Sequence, residues 1–168
     1  MRSVHAIPPL LVLVALLGAC TPELTSPPGA ISDETLTAAD WEQPENGWPS
    51  VNSLPGDIVA QGWNEGDIVK DARLVDQNGD VVSLWQFYGQ VIALDISTMW
   101  CGPCQLLARE VDEVQREYED EGFIYLTMMP ENIDGDTPTI ENLNQWAERN
   151  GVSAPILSDE PLHSYDIV

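Results

Sequence analysis

The sequence is short of positive charge, histidine and cysteine. Its 168 residues include six Lys and Arg against 28 Asp and Glu, which gives a formal net charge of −22. A surface of that sign repels phosphate backbones and disfavours electrostatic attachment to anionic lipid, so we do not expect the chain to bind nucleic acid. The three cysteines include one close pair, and the two histidines, His5 and His163, lie far from it in sequence. That pair therefore lacks the two further ligands that a zinc site needs.

Long apolar runs are also missing. A membrane-spanning helix needs about 20 apolar residues. The apolar stretch at residues 6–17 is shorter, is interrupted by Pro8 and Pro9, and follows Arg2, the only Lys or Arg among the first 20 residues. This pattern is typical of the h-region of a signal peptide, which we assign to residues 1–19.

The four residues from Leu17 to Cys20, Leu-Gly-Ala-Cys, resemble the bacterial lipobox. The resemblance implies cleavage before Cys20 and attachment of lipid to this cysteine, which anchors the protein in the cell envelope facing the periplasm. Thr21 follows the cysteine, and a residue other than Asp at this place resembles the signal for the outer rather than the inner membrane. Plain cleavage and a short uncleaved anchor are the alternatives.

Residues 20–56 are predicted to form an acidic tether after the lipidated cysteine. From Thr21 onward they contain six prolines and no Lys or Arg. Such a segment buries too little apolar surface to offset its ordering entropy, and its prolines keep it extended. Trp41 and Trp48 are exceptions, which either dock on the domain or a partner, or lie exposed in coil. The folded domain is then assigned to residues 57–168.

The strongest chemical signal is the pair Cys101 and Cys104, separated by Gly102 and Pro103. An apolar run at residues 91–97 precedes the pair and an amphipathic pattern follows it, which predicts a buried strand, a turn and a helix. Cysteines three apart on a first helical turn share one face, so their sulfurs can close a disulfide. Pro103 suits that turn because no partner is available for an N–H there.

This placement predicts redox chemistry at the cysteine pair. The free N–H groups and dipole of the helix N-terminus favour a thiolate on Cys101, whose pKa would fall toward about 7. Cys101 is therefore the predicted nucleophile, and Cys104 resolves the mixed disulfide. Half of a zinc knuckle and a static structural disulfide are the alternatives.

The remaining pattern predicts an α/β domain. Residues 76–80 read as a hairpin turn, residues 123–129 as a strand, and Gly151 as the end of a helix that opens near residues 137–138. The helix after the cysteines is predicted to run over residues 101–119. Its apolar residues at helical spacing are expected to face the sheet: Leu107, Val111, Val114 and Tyr118.

The residues Trp100-Cys101-Gly102-Pro103-Cys104 resemble the thioredoxin active-site motif. Residues 74–84 and 88–91 resemble the entry hairpin of the membrane-anchored, thioredoxin-like TlpA/ResA type. This family exchanges disulfides outside the cytoplasm. The resemblance implies an α/β, thioredoxin-like fold with an N-terminal β-hairpin, which extends from Gly66 to about Val168.

The resemblance also assigns roles around the motif. Asp95 matches the buried Asp of thioredoxin, which handles the proton of the second cysteine; a strand-end carboxylate that reaches solvent is the alternative. Trp100, Gly102 and Pro103 form the rim of the site. No organic cofactor or metal is implied, because the Cys101–Cys104 disulfide carries the electrons. The implied partners are protein disulfide or dithiol substrates and a thiol electron donor, and the Gly-Pro dipeptide favours a reductase over an oxidase.

The sequence departs from the family in two places. Leu107 stands where the TlpA/ResA type often has Glu, which leaves Asp95 as the acid of the site. Pro155 lies too early to be the cis-proline that faces the cysteines in this fold, and the sequence ends at Val168, where that segment would begin. We therefore expect the cis-proline strand pair and the last helix to be lacking, with a sheet edge exposed.

Two further classes of function remain open at this stage. Thr98 and Cys101 resemble the end of the peroxiredoxin motif and so suggest a thiol peroxidase, although Leu94 stands where that motif has Pro. Alternatively, the cysteine pair binds copper(I) or zinc, or forms a static disulfide in a lipid-anchored interaction protein, since two thiolates suit soft metals.

Overall fold

A computed structural model describes residues 37–160 and 162–167, in which five strands form one mixed sheet. Short 3-10 turns cover Leu84–Phe87 and Glu119–Glu121. The strands and helices follow in chain order: β1 Arg73–Asp76, β2 Val81–Ser83, β3 Val91–Ile96, α1 Gly102–Ala108, α2 Val111–Tyr118, β4 Phe123–Met129, α3 Ile140–Asn150, β5 Ile156–Ser158 and α4 Ser164–Ile167.

The strand order is β2-β1-β5-β4-β3. Strand β1 runs antiparallel to both β2 and β5, whereas β3, β4 and β5 are parallel to one another. Strand β3 was predicted to be a buried strand, but among the described residues it lies at the edge of the sheet. There it pairs with β4 alone, and the side chain of Val91 is 67% exposed.

Both faces of the sheet are covered. Because strand side chains alternate, Leu126 and Met128 of β4 enter one core, and Tyr125 and Met129 enter the other. The first core is closed by Phe87 of the 3-10 turn and by residues from both ends of the described chain, and the second is closed by helices α1, α2 and α3. This two-sided burial fixes the end of the sheet at which β3 leads into the cysteine pair.

The helix after the cysteines is broken, which corrects the prediction of one continuous helix. The N–H groups of Arg109 and Glu110 donate three residues back, to the carbonyls of Leu106 (3.3 Å) and Leu107 (3.0 Å). Bonds of this type tighten the last turn of a helix, and α2 begins afresh at Val111. Ala108 and Val111 are buried against the sheet, whereas Leu107, which was expected to face it, is 49% exposed.

Residues 37–56 lie against the domain, which differs from the extended tether predicted for residues 20–56. The indole of Trp41 is buried with Ile58 and Trp85, and its Nε1 donates to Ser83 Oγ at 2.9 Å. The indole of Trp48 packs against the first core, and its Nε1 donates to Asp76 Oδ2 at 2.6 Å. Tryptophan supplies a large apolar surface together with one N–H donor, so two such residues hold a segment that is otherwise poor in apolar side chains.

We expect Trp41→Ala to lower the free energy of unfolding by about 3 kcal/mol, because a large buried side chain is removed from a packed site. Trp41→Phe should cost about 1 kcal/mol, since it keeps apolar contact and loses the hydrogen bond to Ser83. Urea unfolding of both variants and the wild type measures this. Equal stability of Trp41→Ala and the wild type would contradict the packing of this segment.

Candidate active site

The cysteine pair lies where β3 gives way to α1, as the sequence predicted. Cys101 is the N-cap of α1, with φ −78° and ψ 107°, and its Sγ accepts the N–H of Cys104 at 3.2 Å. Pro103 lies in the first turn of the helix. The two cysteines form a disulfide with their Cα atoms 5.2 Å apart. The sulfur atom of the predicted nucleophile therefore caps the N-terminus of α1.

The two cysteines have different surroundings. Cys104 is half-buried and packs against the core beneath α1 and α2, where Val111 and Tyr125 lie. Gly102 and Pro103 are exposed between the two cysteines, and Trp100 is 56% exposed. The predicted rim residues thus lie at the surface, and Cys104 lies on the inner side of the pair.

Backbone hydrogen bonds hold the segment between β3 and the cysteines. The N–H of Cys101 donates to the carbonyl of Thr98 at 3.1 Å, and the N–H of Met99 donates to the carbonyl of Glu131 at 3.1 Å. The side-chain Nε2 of Gln105 also donates to the backbone carbonyl of Met99 at 2.9 Å. The hydroxyl of Thr98 is buried and has no hydrogen-bond partner among the described residues.

Glu131 belongs to this site, and the sequence analysis missed it. Its Oε2 accepts the indole N–H of Trp100 at 2.8 Å. Its position two residues after the end of β4 was the available signal, because neighbouring parallel strands β3 and β4 bring their carboxyl ends to one edge of the sheet.

Asp95 lies on β3 opposite Thr127 of β4 and is half-buried. The hydroxyl of Ser97 donates to Asp95 Oδ2 at 2.8 Å. Burial raises the pKa of the Asp95 carboxyl above its ordinary value of 3.8, and the bond from Ser97 opposes this in part. Burial, together with the nearby charge of Asp95, raises the pKa of Tyr125 to about 12.

Asp95 and Cys104 share one face of the sheet. Ala93, two residues before Asp95 on β3, packs in the same core as Cys104 and Tyr125. Alternate residues of a strand point the same way, so the Asp95 carboxyl lies on the side where Cys104 is half-buried. The carboxyl with a raised pKa thus lies on the same face of the sheet as Cys104.

Other predicted features lie outside the described residues, namely the signal peptide of residues 1–19 and the lipidation site Cys20. Within residues 37–160 and 162–167, no helix has both the length and the apolar character to cross a bilayer. The same residues bring together no group of three or more His, Cys, Asp or Glu side chains with the arrangement of metal ligands.

Comparison with known proteins places this geometry in a family. The sequence profile of the AhpC/TSA family matches residues 66–167. A segment of 43 residues is 40% identical to the chloroplastic F-type thioredoxin of Brassica napus and 35% identical to chloroplastic thioredoxin F1 of Arabidopsis thaliana. Each match covers 26% of this chain and 24% of the relative, so the chain spans about a quarter of the length of these curated relatives.

Solved structures are similar at low identity. A DsbF homologue from Corynebacterium diphtheriae is 18% identical with a TM-score of 0.49, over 68% of this chain and 73% of that chain. A thiol:disulfide interchange protein from Bacteroides sp. is 19% identical with a TM-score of 0.49, over 59% of this chain and 65% of that chain.

The mixed sheet, with a Cys-x-x-Cys pair where β3 meets α1, defines a thioredoxin-like α/β protein, as the sequence predicted. The family match extends over more than half of the chain. The chain belongs to the AhpC/TSA family.

The raised pKa of Asp95 predicts a stability that depends on pH. Folding raises this pKa, so the folded state holds the proton more tightly, and stability falls as pH rises from 3.8 through the folded-state pKa. Asp95→Asn, which keeps an acceptor for Ser97, should therefore be more stable than the wild type at neutral pH. The difference should shrink as pH falls to 3.8 and below.

Urea unfolding of the wild type and Asp95→Asn from neutral pH to below pH 3.8 tests this predicted difference in stability. Asp120→Asn is the matched control, because it removes one charge from an exposed residue of the same acidic surface. A neutral-pH gain in Asp95→Asn no larger than in Asp120→Asn would contradict the burial effect.

Proposed function

We propose that this protein is an extracytoplasmic, lipid-anchored thiol–disulfide oxidoreductase that works as a reductase. The observation that carries the proposal is the hydrogen bond from the Cys104 N–H to Cys101 Sγ at the start of α1. A backbone N–H aimed at the sulfur, together with the positive end of the helix dipole, favours the thiolate when the pair is reduced. The thiolate is the form that attacks disulfides.

Two exchange steps make up the reaction. The Cys101 thiolate attacks one sulfur of the substrate disulfide, which forms a mixed disulfide and releases the other substrate sulfur as a thiolate. Cys104 then attacks Cys101 Sγ, which releases the second substrate sulfur and forms the Cys101–Cys104 disulfide. The substrate gains two electrons and the cysteine pair loses them, and a dithiol donor restores the pair.

Asp95 is the proposed proton acceptor for Cys104. Cys104 must lose its proton before it attacks, and it is half-buried, where a thiolate is poorly solvated. A carboxylate whose pKa is raised by burial is a stronger base than an ordinary one, so it takes up the proton of the thiol more readily. The shared face of Asp95 and Cys104 supports this role.

The proposed reducing direction is supported by the Gly102-Pro103 dipeptide between the two cysteines.

The proposed lipid anchor is supported by the sequence from Leu17 to Cys20. The anchor would hold the cysteine pair in the cell envelope facing the periplasm, at the outer rather than the inner membrane. Expression of the full chain and of Cys20→Ser in a double-membraned bacterium tests it. The wild type should partition with detergent and carry an acylated N-terminus, and a wild type without lipid would contradict the anchor.

Substitution of each cysteine by serine tests the proposed roles of Cys101 as nucleophile and Cys104 as resolving thiol. With dithiothreitol as donor and insulin as substrate, Cys101→Ser should reduce insulin no faster than the donor alone, because the nucleophile is gone. Cys104→Ser should accumulate a mixed disulfide through Cys101, since no resolving thiol remains. Mass spectrometry under non-reducing conditions identifies the adduct.

The opposite result would assign a different function. If the reduced wild type consumed hydrogen peroxide but failed to accelerate insulin reduction, the protein would be a thiol peroxidase, to which the buried, unpartnered hydroxyl of Thr98 would then be relevant. Insulin reduction by Cys101→Ser at the wild-type rate would contradict the assigned nucleophile.

A further inference from the structure

The Glu131 carboxylate joins two aromatic side chains beside the disulfide. Its Oε2 accepts the Trp100 indole N–H at 2.8 Å, and its Oε1 accepts the Tyr165 hydroxyl at 3.1 Å. Trp100 is 56% exposed and Tyr165 is 57% exposed. Burial therefore does not fix either ring, and the two hydrogen bonds to one carboxylate set where the rings lie.

Each of the three residues stands on a fixed backbone. The carbonyl of Glu131 accepts the N–H of Met99 at 3.1 Å, which ties it to the segment that leads into Cys101. Tyr165 lies on α4, and the buried carboxylate of Asp159 holds the start of that helix by accepting the N–H groups of His163 and Ser164, each at 2.8 Å. Glu131 thus connects two rigid parts of the chain across the rim.

The Glu131 carboxylate stabilises the protonated form of the Tyr165 hydroxyl. Glu131 raises the pKa of the Tyr165 hydroxyl above its ordinary value of 10, through the hydrogen bond first and its charge second. Tyr165 therefore stays a donor at neutral pH. A bond to a charged acceptor is stronger than one between neutral groups, which suits a contact in solvent.

We propose that Glu131 is a positioning residue, which holds Trp100 and Tyr165 as a docking platform for the polypeptide that carries the substrate disulfide. The inference rests on the proposed function. Trp100 directly precedes Cys101, so a chain whose disulfide meets Cys101 must pass next to its ring. Two fixed aromatic faces offer apolar contact to the side chains that flank the substrate cysteine, at little cost in conformational entropy.

The acidic surroundings define the substrate further. The carboxylate of Glu131 lies between the two rings, and the whole chain has a formal net charge of −22. Apolar and basic side chains beside the substrate disulfide fit such a platform, because cations bind the faces of aromatic rings and are attracted by the carboxylate. Leu107, three residues after Cys104, and Ile133, two residues after Glu131, are also exposed apolar side chains, at 49% and 59%. A small-molecule disulfide has no side chains that reach the two aromatic rings, so it gains little affinity from the platform.

Comparison of a protein disulfide with a small-molecule disulfide separates an effect on substrate docking from an effect on the exchange reaction. The kcat and KM of the full chain are measured with insulin and with 2-hydroxyethyl disulfide, with dithiothreitol as donor and its background subtracted. We expect Glu131→Ala to lower the ratio of kcat/KM for insulin to kcat/KM for 2-hydroxyethyl disulfide about fivefold, mainly through a higher KM for insulin. Tyr165→Phe should lower the ratio in the same direction by less.

A conservative variant and a double variant sharpen the test. Glu131→Gln should recover most of the ratio, because its amide oxygen can accept from Trp100 and its amide N–H can donate to the oxygen of Tyr165. Glu131→Ala with Tyr165→Phe should be no worse than Glu131→Ala alone, since the alanine already removes the hydrogen bond that Tyr165→Phe removes. Glu148→Ala is the matched control: this exposed residue lies near the end of α3, which precedes the amino end of β5, whereas the cysteines follow the carboxyl end of β3, and it should leave the ratio unchanged.

The outcomes that overturn the inference are distinct from failure of the proposed function. An unchanged ratio in Glu131→Ala, or equal losses with both disulfides, would show that the carboxylate does not position a docking platform. A wild type that reduces neither disulfide would overturn the proposed function itself. If Glu131→Ala does not fold, as judged by circular dichroism, an unchanged ratio in Tyr165→Phe overturns the inference on its own.

Discussion

The sulfur atom of Cys101 caps helix α1, and the geometry of the site depends on that contact. The N–H of Cys104 would otherwise lack an intrahelical partner, and Cys101 Sγ accepts it at 3.2 Å. Both cysteines are half-buried, but Cys101 caps the helix, whereas Cys104 packs against the core that holds Val111 and Tyr125. The capping hydrogen bond therefore gives the two cysteines different surroundings. The different roles proposed for them in disulfide exchange require such a difference.

The scarcity of cations shapes how the acidic groups are satisfied. Three tryptophans donate their indole N–H to acidic groups or to a hydroxyl bound to one. Trp48 donates to Asp76 and Trp100 to Glu131, while Trp41 donates to Ser83, whose hydroxyl in turn donates to Asp71 at 2.7 Å. Backbone N–H groups supply further bonds, as at Asp159. With 28 acids against six Lys and Arg, the chain satisfies these acidic groups largely with neutral donors, and each indole bond also fixes an aromatic ring.

Local signals made the centre of the fold predictable. The apolar run before Cys101, the Gly-Pro turn and the hairpin at residues 76–80 are specified within a few residues, and the structure places strands and helices there. The break at Arg109 and Glu110 was missed, because no proline or glycine marks it and a change of two backbone hydrogen bonds is enough to cause it. Docking of Trp41 and Trp48 and the contact of Glu131 with Tyr165 join residues more than 25 positions apart, so no local pattern encodes them. The position of β3 at the edge of the sheet likewise depends on which strands pair, not on its own apolar sequence.

The reduction potential of the Cys101–Cys104 pair tests the central claim most directly. Thiol trapping and mass spectrometry of the full chain, equilibrated in defined dithiothreitol buffers, would measure it. A reductase of this kind should show one reversible two-electron transition near the thioredoxin value of about −270 mV, which Cys104→Ser abolishes. No reversible transition would contradict a redox role for the pair, and a midpoint near about −120 mV would contradict the reducing direction.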